Sequence, residues 1–229
     1  MTWVIYLLTL LIFFMNTNNK FVITINRELG SGGRTVGRKL AEKLGVEFFD
    51  KALIKALQEK YHLTVEEIER LKGRDQGWWA NFKRTMTGPT NDDTFFVTKM
   101  GSKPELLETE EVFRAETEIL KALAKDESCV IAGRSGFYIF RDHPNHLSIL
   151  IQASMIHRVA RVADEQNMTK EEARMTIDKV DRMRENYVNK YAKTSRYDTR
   201  NYDLVLNMDE LTEDAAVNTI MAYIQGMVH

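Results

Sequence analysis

The sequence predicts an α/β fold built on a mostly parallel sheet. Three observations carry that prediction. Short apolar runs rich in β-branched residues alternate along the chain with amphipathic helical patterns, as βαβ units require. The first of these runs feeds a glycine-rich turn and then a helix, in "ITINRELGSGGRTVGRKLAEKLG" from Ile23 to Gly45. The remaining glycine and arginine motifs fall just after other apolar runs, where ligands bind in such sheets.

Taken in order, the chain opens on "WVIYLLTLLIFFM" (Trp3 to Met15). This stretch is shorter than the roughly 18 to 20 residues of a membrane span. It also lacks the basic leader and small-residue cleavage site of a signal peptide. Residues 1–14 are therefore expected to be an upstream extension, with Met15 the start of the soluble chain; a short membrane-associating segment is the competing reading. "FVITIN" (Phe21–Asn26) reads as a strand buried on both faces. "RTVGRKLAEKLG" puts Val36, Leu40 and Leu44 on one helical face and stops at Gly45. "VEFFD" (Val46–Asp50) is a short strand candidate. "DKALIKALQEKY" and "TVEEIERLKG" read as helices, the second opening on a Thr64–Glu67 capping box.

From Arg74 to Pro104 the periodicity breaks, and the segment of about 73–104 is expected to be a functional or mobile insert. Trp78 and Trp79 within it are expected to pack, with a nucleobase floor as the sharper alternative. A helical pattern resumes from Glu105 to about Lys125. "SCVIAGR" (Ser128–Arg134) is a strand running into a glycine turn. "HLSILIQA" (His146–Ala153) is another buried strand, followed by a helix through Arg158 and Arg161. Thr169 and Glu172 cap a long charged helix reaching about Ala192. "YDLVLNM" (Tyr202–Met208) is a last strand and "EDAAVNTIMAYIQGMV" a closing amphipathic helix.

Composition narrows the function. The chain has 229 residues, 44% hydrophobic and 28% charged, enough to bury a full core without disulfides. A formal net charge of −1 gives no general electrostatic grip on nucleic acid. One cysteine, Cys129, lies inside an apolar run and reads as core. Five scattered histidines argue against a zinc site, and His143 and His146 flank a turn at Pro144.

The chemistry is densest at "GSGGRT" (Gly30–Thr35). A phosphate loop needs inward-pointing backbone N–H groups, and glycines supply the room and the dihedrals. The helix that follows aims its positive N-terminus at the anion. Gly30, Ser31, Gly32 and Gly33 form the cradle, Arg34 is the cation, and Thr35 is placed to ligate magnesium. Glu28 and Arg34 stand where the usual pattern has glycine and lysine. Arginine stays charged and binds phosphate through two parallel hydrogen bonds, so ground-state binding is expected to survive the change.

On these residues the chain resembles the cytidylate kinase-like family, a branch of the P-loop nucleoside monophosphate kinases. The resemblance rests on "GSGGR" with "LAEKLG", "CVIAGR", "ILIQASMIHRVAR", and "KVDRMRENYVNKY" with "RNYDLVLN", across about residues 20 to 228. It implies a P-loop NTPase fold: five parallel strands flanked by helices, a helical substrate-binding insert, and a lid at about 169–200. Residues 20–229 then form one kinase-like domain after the extension of residues 1–19. The implied activity is transfer of the γ-phosphoryl of ATP to CMP or dCMP with magnesium, in the cytoplasm. The implied partners are small nucleotides, without nucleic acid.

The resemblance places Arg34, Arg134, Arg158, Arg182 and Arg184 at catalytic positions. Phosphoryl transfer consumes such cations, because it is mostly positioning plus charge neutralisation. It places Asp50, Lys55, Arg134 and Ser135 at the acceptor. Three departures fall there: Ala132 and Ser135 stand where the better-known cytidylate kinases carry acids, and Ala56 stands where they carry an arginine, with Lys55 one place off. Asp50 and Glu28 are candidates for orienting magnesium's water shell. Tyr187 and Tyr191 share one face of the lid helix. Two alternatives stay open, a kinase for another small metabolite and a nucleotide-binding protein without turnover.

Overall fold

In a computed structural model of the chain, residues 15–50 and 110–227 are described. The extension of residues 1–14, Lys55, Ala56, the capping box at Thr64, the tryptophan pair and the insert of about 73–104 lie outside them. The chain divides into two compact units, residues 1–51 with 123–229, and residues 52–122. The first holds the whole sheet. The second contributes, among the described residues, most of one helix, α2 (Glu110–Asp126), whose last turn falls in the first unit.

Five strands run parallel: β1 (Val22–Arg27), β2 (Glu47–Asp50), β3 (Cys129–Ala132), β4 (His146–Gln152) and β5 (Leu204–Asn207). Their order is β2-β3-β1-β4-β5. β1 is therefore central, paired through Val22 to Cys129 on one side and to His146 on the other. Its neighbours come from later in the chain in both directions, so the strand order reverses at β1. The carboxyl end of β1 is therefore where a ligand is expected in a sheet of this order.

One face of the sheet carries α1 (Gly33–Leu44) and α6 (Glu213–Gly226). Val36 and Leu40 of α1, with Val217 and Ile220 of α6, join Ile23, Ile25, Val130, Ile149 and Ile151 in one core. The alternation of strand side chains sends Thr24 and Ile131 to the opposite face, where the short α3 (Gly136–Ile139) lies against them at Gly136. Phe137 of α3 packs in turn with Val188 and Ala192 of α5 (Lys170–Ala192). α4 (Met155–Gln166) runs beside α5. No helix among the described residues is long and apolar enough to cross a membrane.

The local signals read from the sequence hold. Gly45 ends α1 in the left-handed region at φ 67°. Thr169 and Glu172 form a complete capping box at the start of α5. Tyr187 and Tyr191 meet edge to face, with ring centroids 4.9 Å apart. The apolar run around Cys129 is a fully buried strand, and burial pushes its thiol up to about 12.

Candidate active site

The site grows from the carboxyl end of β1. The strand ends at Arg27, and the chain turns through Glu28 and Leu29 into Gly30 and Gly32, both left-handed at φ 81° and 77°. Gly32 caps α1 with no side-chain hydrogen bond, so the first-turn N–H groups of that helix stay directed out of its N-terminus. The glycines are also required from outside the loop. A Cβ on Gly30 would lie 2.8 Å from the Arg158 carbonyl oxygen, and one on Gly32 would lie 2.8 Å from Arg161 Nη1. The room left by the missing side chains is thus partly taken up by α4 pressing on the loop.

Arg34 sits in the first turn of α1 and is buried. Its guanidinium reaches the carboxyl end of β2, where Asp50 accepts from Nε at 2.8 Å and pairs with Nη2 at 2.6 Å. Burial and two contacts to one carboxylate oxygen hold this cation in a fixed direction. Thr35 follows at the third helical position, half-buried.

A second cluster forms around Asp181 of α5. Its carboxylate faces three guanidiniums: Arg158 of α4 in a short contact, Arg196 at 3.3 Å and Arg184 at 3.6 Å. It also accepts the Leu29 amide of the phosphate loop at 3.2 Å. The Arg27 carbonyl at the end of β1 is shared in the same way, accepting from Arg184 Nη1 at 3.2 Å and from Arg196 Nη2. Glu28 accepts the Ala153 amide at 3.0 Å and stands 3.7 Å from Arg158 Nε. Three guanidiniums thus share one carboxylate beside the loop, with Glu28 as a second acid next to Arg158.

The turn after β3 forms the third part. Gly133, Arg134 and Ser135 are all left-handed, at φ 84°, 55° and 54°. Two consecutive non-glycine residues in that region are strained, and such strain persists where surrounding structure over-determines it. Here it turns the Arg134 guanidinium over the Tyr187 ring of α5, 4.7 Å from the centroid. Ser135 is buried beside it and its Oγ has no hydrogen-bond partner.

Of the residues expected at the site, Gly30 to Thr35, Asp50, Arg134, Ser135, Arg158 and Arg184 all follow the carboxyl ends of the strands or face them. Arg182 does not join them; it is exposed, two residues and thus about 200° around the helix from Arg184. Lys55 lies outside the described residues. Asp181 does not stand out in the sequence, and Arg196 stands out only as one member of the basic run with Arg182, Arg184, Lys190, Lys193 and Arg200. One signal existed for the first, since Asp181, Arg184 and Tyr187 recur at a spacing of three beside buried Ile177, Val180 and Val188. Nothing in the irregular segment around Arg196 separates it from the other cations of that run.

A sequence profile of the cytidylate kinase-like family matches residues 22–210. The chain belongs to the cytidylate kinase-like family. This cytidylate kinase-like protein is 27% identical, over 214 residues, to an S-adenosylmethionine-dependent nucleotide dehydratase of Lacinutrix mariniflava. The match covers 90% of the chain but 36% of that relative, so the chain spans about a third of its length. A crystal structure of an uncharacterized protein from Eubacterium ventriosum superimposes with a TM-score of 0.63 at 24% identity, over 91% of this chain and 99% of the other. A shikimate kinase from Bacteroides thetaiotaomicron aligns over 90% of the chain and 98% of its own, with a TM-score of 0.48 and 16% identity. The parallel sheet, the phosphate loop and the family together make a kinase-like P-loop protein.

Proposed function

We propose that this protein transfers the γ-phosphoryl group of ATP to a nucleoside monophosphate, with CMP or dCMP as the leading acceptors. The observation that carries the proposal is the meeting, at one end of β1, of an uncapped glycine-loop helix with the arginines of α4, α5 and the segment after α5. A loosely bonded, highly charged transition state is stabilised by such prepositioned cations rather than by an acid–base pair. No general base is needed, because a phosphate acceptor is already a nucleophile.

In this reading Gly30 to Gly33 and the first turn of α1 hold the donor phosphates. Arg34 neutralises them, Arg158 and Arg184 face the moving group, and Arg134 with Ser135, Asp50 and Lys55 serve the acceptor. Magnesium fits as a guest of the nucleotide. Among the described residues no three histidine, cysteine or carboxylate side chains gather to cage a metal. Thr35, in the first turn, supplies a hard oxygen of the type magnesium takes beside phosphates. When bound, the ion spreads charge from the phosphates. Small nucleotides as partners and a cytoplasmic location belong to the same reading. The Lacinutrix relative is by name a nucleotide dehydratase, which agrees with that ligand class.

One observation favours a second reading, nucleotide binding without turnover. Arg34 already has a resident carboxylate in Asp50, and a cation so engaged serves binding more readily than it follows a moving phosphoryl group. Coupled ADP release across CMP, dCMP, UMP, AMP and small metabolites separates the readings. Turnover on CMP or dCMP supports the proposal, and turnover only on a metabolite replaces it with another kinase. ATP binding with no turnover on any acceptor supports the second reading.

A further inference from the structure

Arg196 is the one charged side chain among the described residues that is wholly buried, at 0% exposure. Burying a guanidinium is costly unless its partners are good. Its guanidinium lies over the Tyr197 ring, 5.2 Å from the centroid, but its hydrogen-bond acceptors are shared ones. Nη1 faces Asp181 Oδ1 at 3.3 Å and Nη2 donates to the Arg27 carbonyl. Arg184 reaches the same two oxygens, through Nη1 at 3.6 Å and 3.2 Å. Two arginines thus bridge one pair of acceptors. They differ in access and in grip: Arg184 is 19% exposed and holds Asp181 at the longest distance in the cluster, whereas Arg196 is sealed. The main chain of Arg196 is fixed as well. Its N–H donates to Glu185 at 3.0 Å, and its carbonyl accepts from Tyr202 Oη at 2.8 Å.

We propose that Arg196 is a positioning residue that makes Arg184 releasable. It keeps Asp181 and the Arg27 carbonyl satisfied when Arg184 turns from them to a bound phosphate. Without a second cation, Arg184 moving to a phosphate would strip a buried carbonyl of a donor and leave Asp181 with Arg158 as its one remaining guanidinium beside the Leu29 amide. That cost would be subtracted from phosphate affinity. With Arg196 in place the two acceptors stay paired in both states, and Arg184 is the more accessible of the two guanidiniums. The inference rests on the proposed phosphate site but not on any acceptor.

The test is calorimetric titration of the full chain with inorganic tripolyphosphate, alongside melting curves. Arg196→Met removes the charge at similar volume, so the Arg27 carbonyl and Asp181 lose the buried donor that stays when Arg184 turns away. Tripolyphosphate is expected to bind about tenfold more weakly. Adding Asp181→Asn removes the carboxylate that retains Arg184, and the double variant is expected to regain most of that loss. Arg158 keeps Glu28 as a counter-ion in that variant. A purely structural role predicts the reverse: lower melting temperature, unchanged affinity of the folded fraction, and no recovery in the double variant. Either wild-type affinity in Arg196→Met or no recovery overturns the proposal. Should Arg196→Met not fold, the pair Arg196→Lys and Asp181→Asn with Arg196→Lys carries the same comparison, because lysine cannot span both acceptors. Wild type that binds tripolyphosphate but phosphorylates nothing overturns the kinase function alone. Wild type that binds no tripolyphosphate overturns both.

Discussion

Arg34 has to serve two anions. In the structure it belongs to Asp50, and in the proposed reaction it also belongs to the donor phosphates. Its removal should therefore have two separable effects. Arg34→Ala is expected to weaken ATP binding by roughly 10- to 100-fold through loss of a charge-assisted contact. It should also destabilise the fold by about 3 kcal/mol, because Asp50 stays buried beside an empty volume. Adding Asp50→Asn should recover much of the stability and none of the affinity. Melting curves and ATP titrations of the two variants read these effects independently, and an unchanged ATP affinity in Arg34→Ala would remove the arginine from the phosphate site. The places of Arg34, Arg134 and Arg158 in the fold were legible because each follows a recognisable strand or glycine signal. Asp181 and Arg196 were not. A charge on a helix looks the same in sequence whether it faces water or three arginines, and only the packing of α5 onto the end of β1 distinguishes Asp181 from exposed Asp178.

At the scale of elements the sequence was readable wherever a local rule had no competitor. β1, β3 and β4 are central, apolar on both faces and bounded by turns, so the expected strands match to within a residue or two. Gly45 and the Thr169–Glu172 box act through their own backbone, so they too could be read directly. Strand order could not, because nothing local says that β3 and β4 flank β1. Two predictions belong here. Thr169→Ala removes the cap of α5, whose hydroxyl accepts the Glu172 amide at 3.3 Å, and should cost about 1 kcal/mol in urea unfolding. α5 also carries Asp181, so phosphate affinity should hold if the helix only frays at its start. The second concerns β3. Cys129 is fully buried in a strand paired on both sides, and burial pushes its thiol up to about 12. Thiolate is the reactive form, so alkylation of the native protein should be slow and should track global unfolding in denaturant. Fast native-state labelling would show that β3 opens locally.

For the whole molecule, the two ends of the sheet have different electrostatics, and this gives stability a pH dependence separate from the site. The carboxyl end collects the arginines. At the opposite end His146 opens β4, and its Nε2 shares a 2.8 Å hydrogen bond with Thr24 Oγ1 of β1. Burial pushes this imidazole down to about 4; nearby Asp203 and the Phe140 backbone oppose the shift, and His143 adds to it. In the unfolded chain the same group titrates near 6.5. The folded state therefore prefers the neutral ring, and the unfolded state takes up a proton first as pH falls. The contribution is fully present above about 6.5 and is lost progressively as pH drops towards 4, by at most about 3 kcal/mol. Carboxylates also titrate at the lower end of that window, so the slope of the wild type alone does not isolate the histidine. The difference between wild type and His146→Gln does. Glutamine can still bond Thr24 but binds no proton, so its unfolding free energy should fall less between pH 6.5 and 4.5, by up to one proton's worth of slope. Urea unfolding at half-unit pH steps measures this directly, and parallel slopes in the two proteins would take the effect away from His146. Because Val22, opposite His146, lies at the far end of β1 from Arg27, phosphate affinity per folded molecule should not change in the variant. A coupled loss of affinity would mean that the two ends of the sheet communicate through β1.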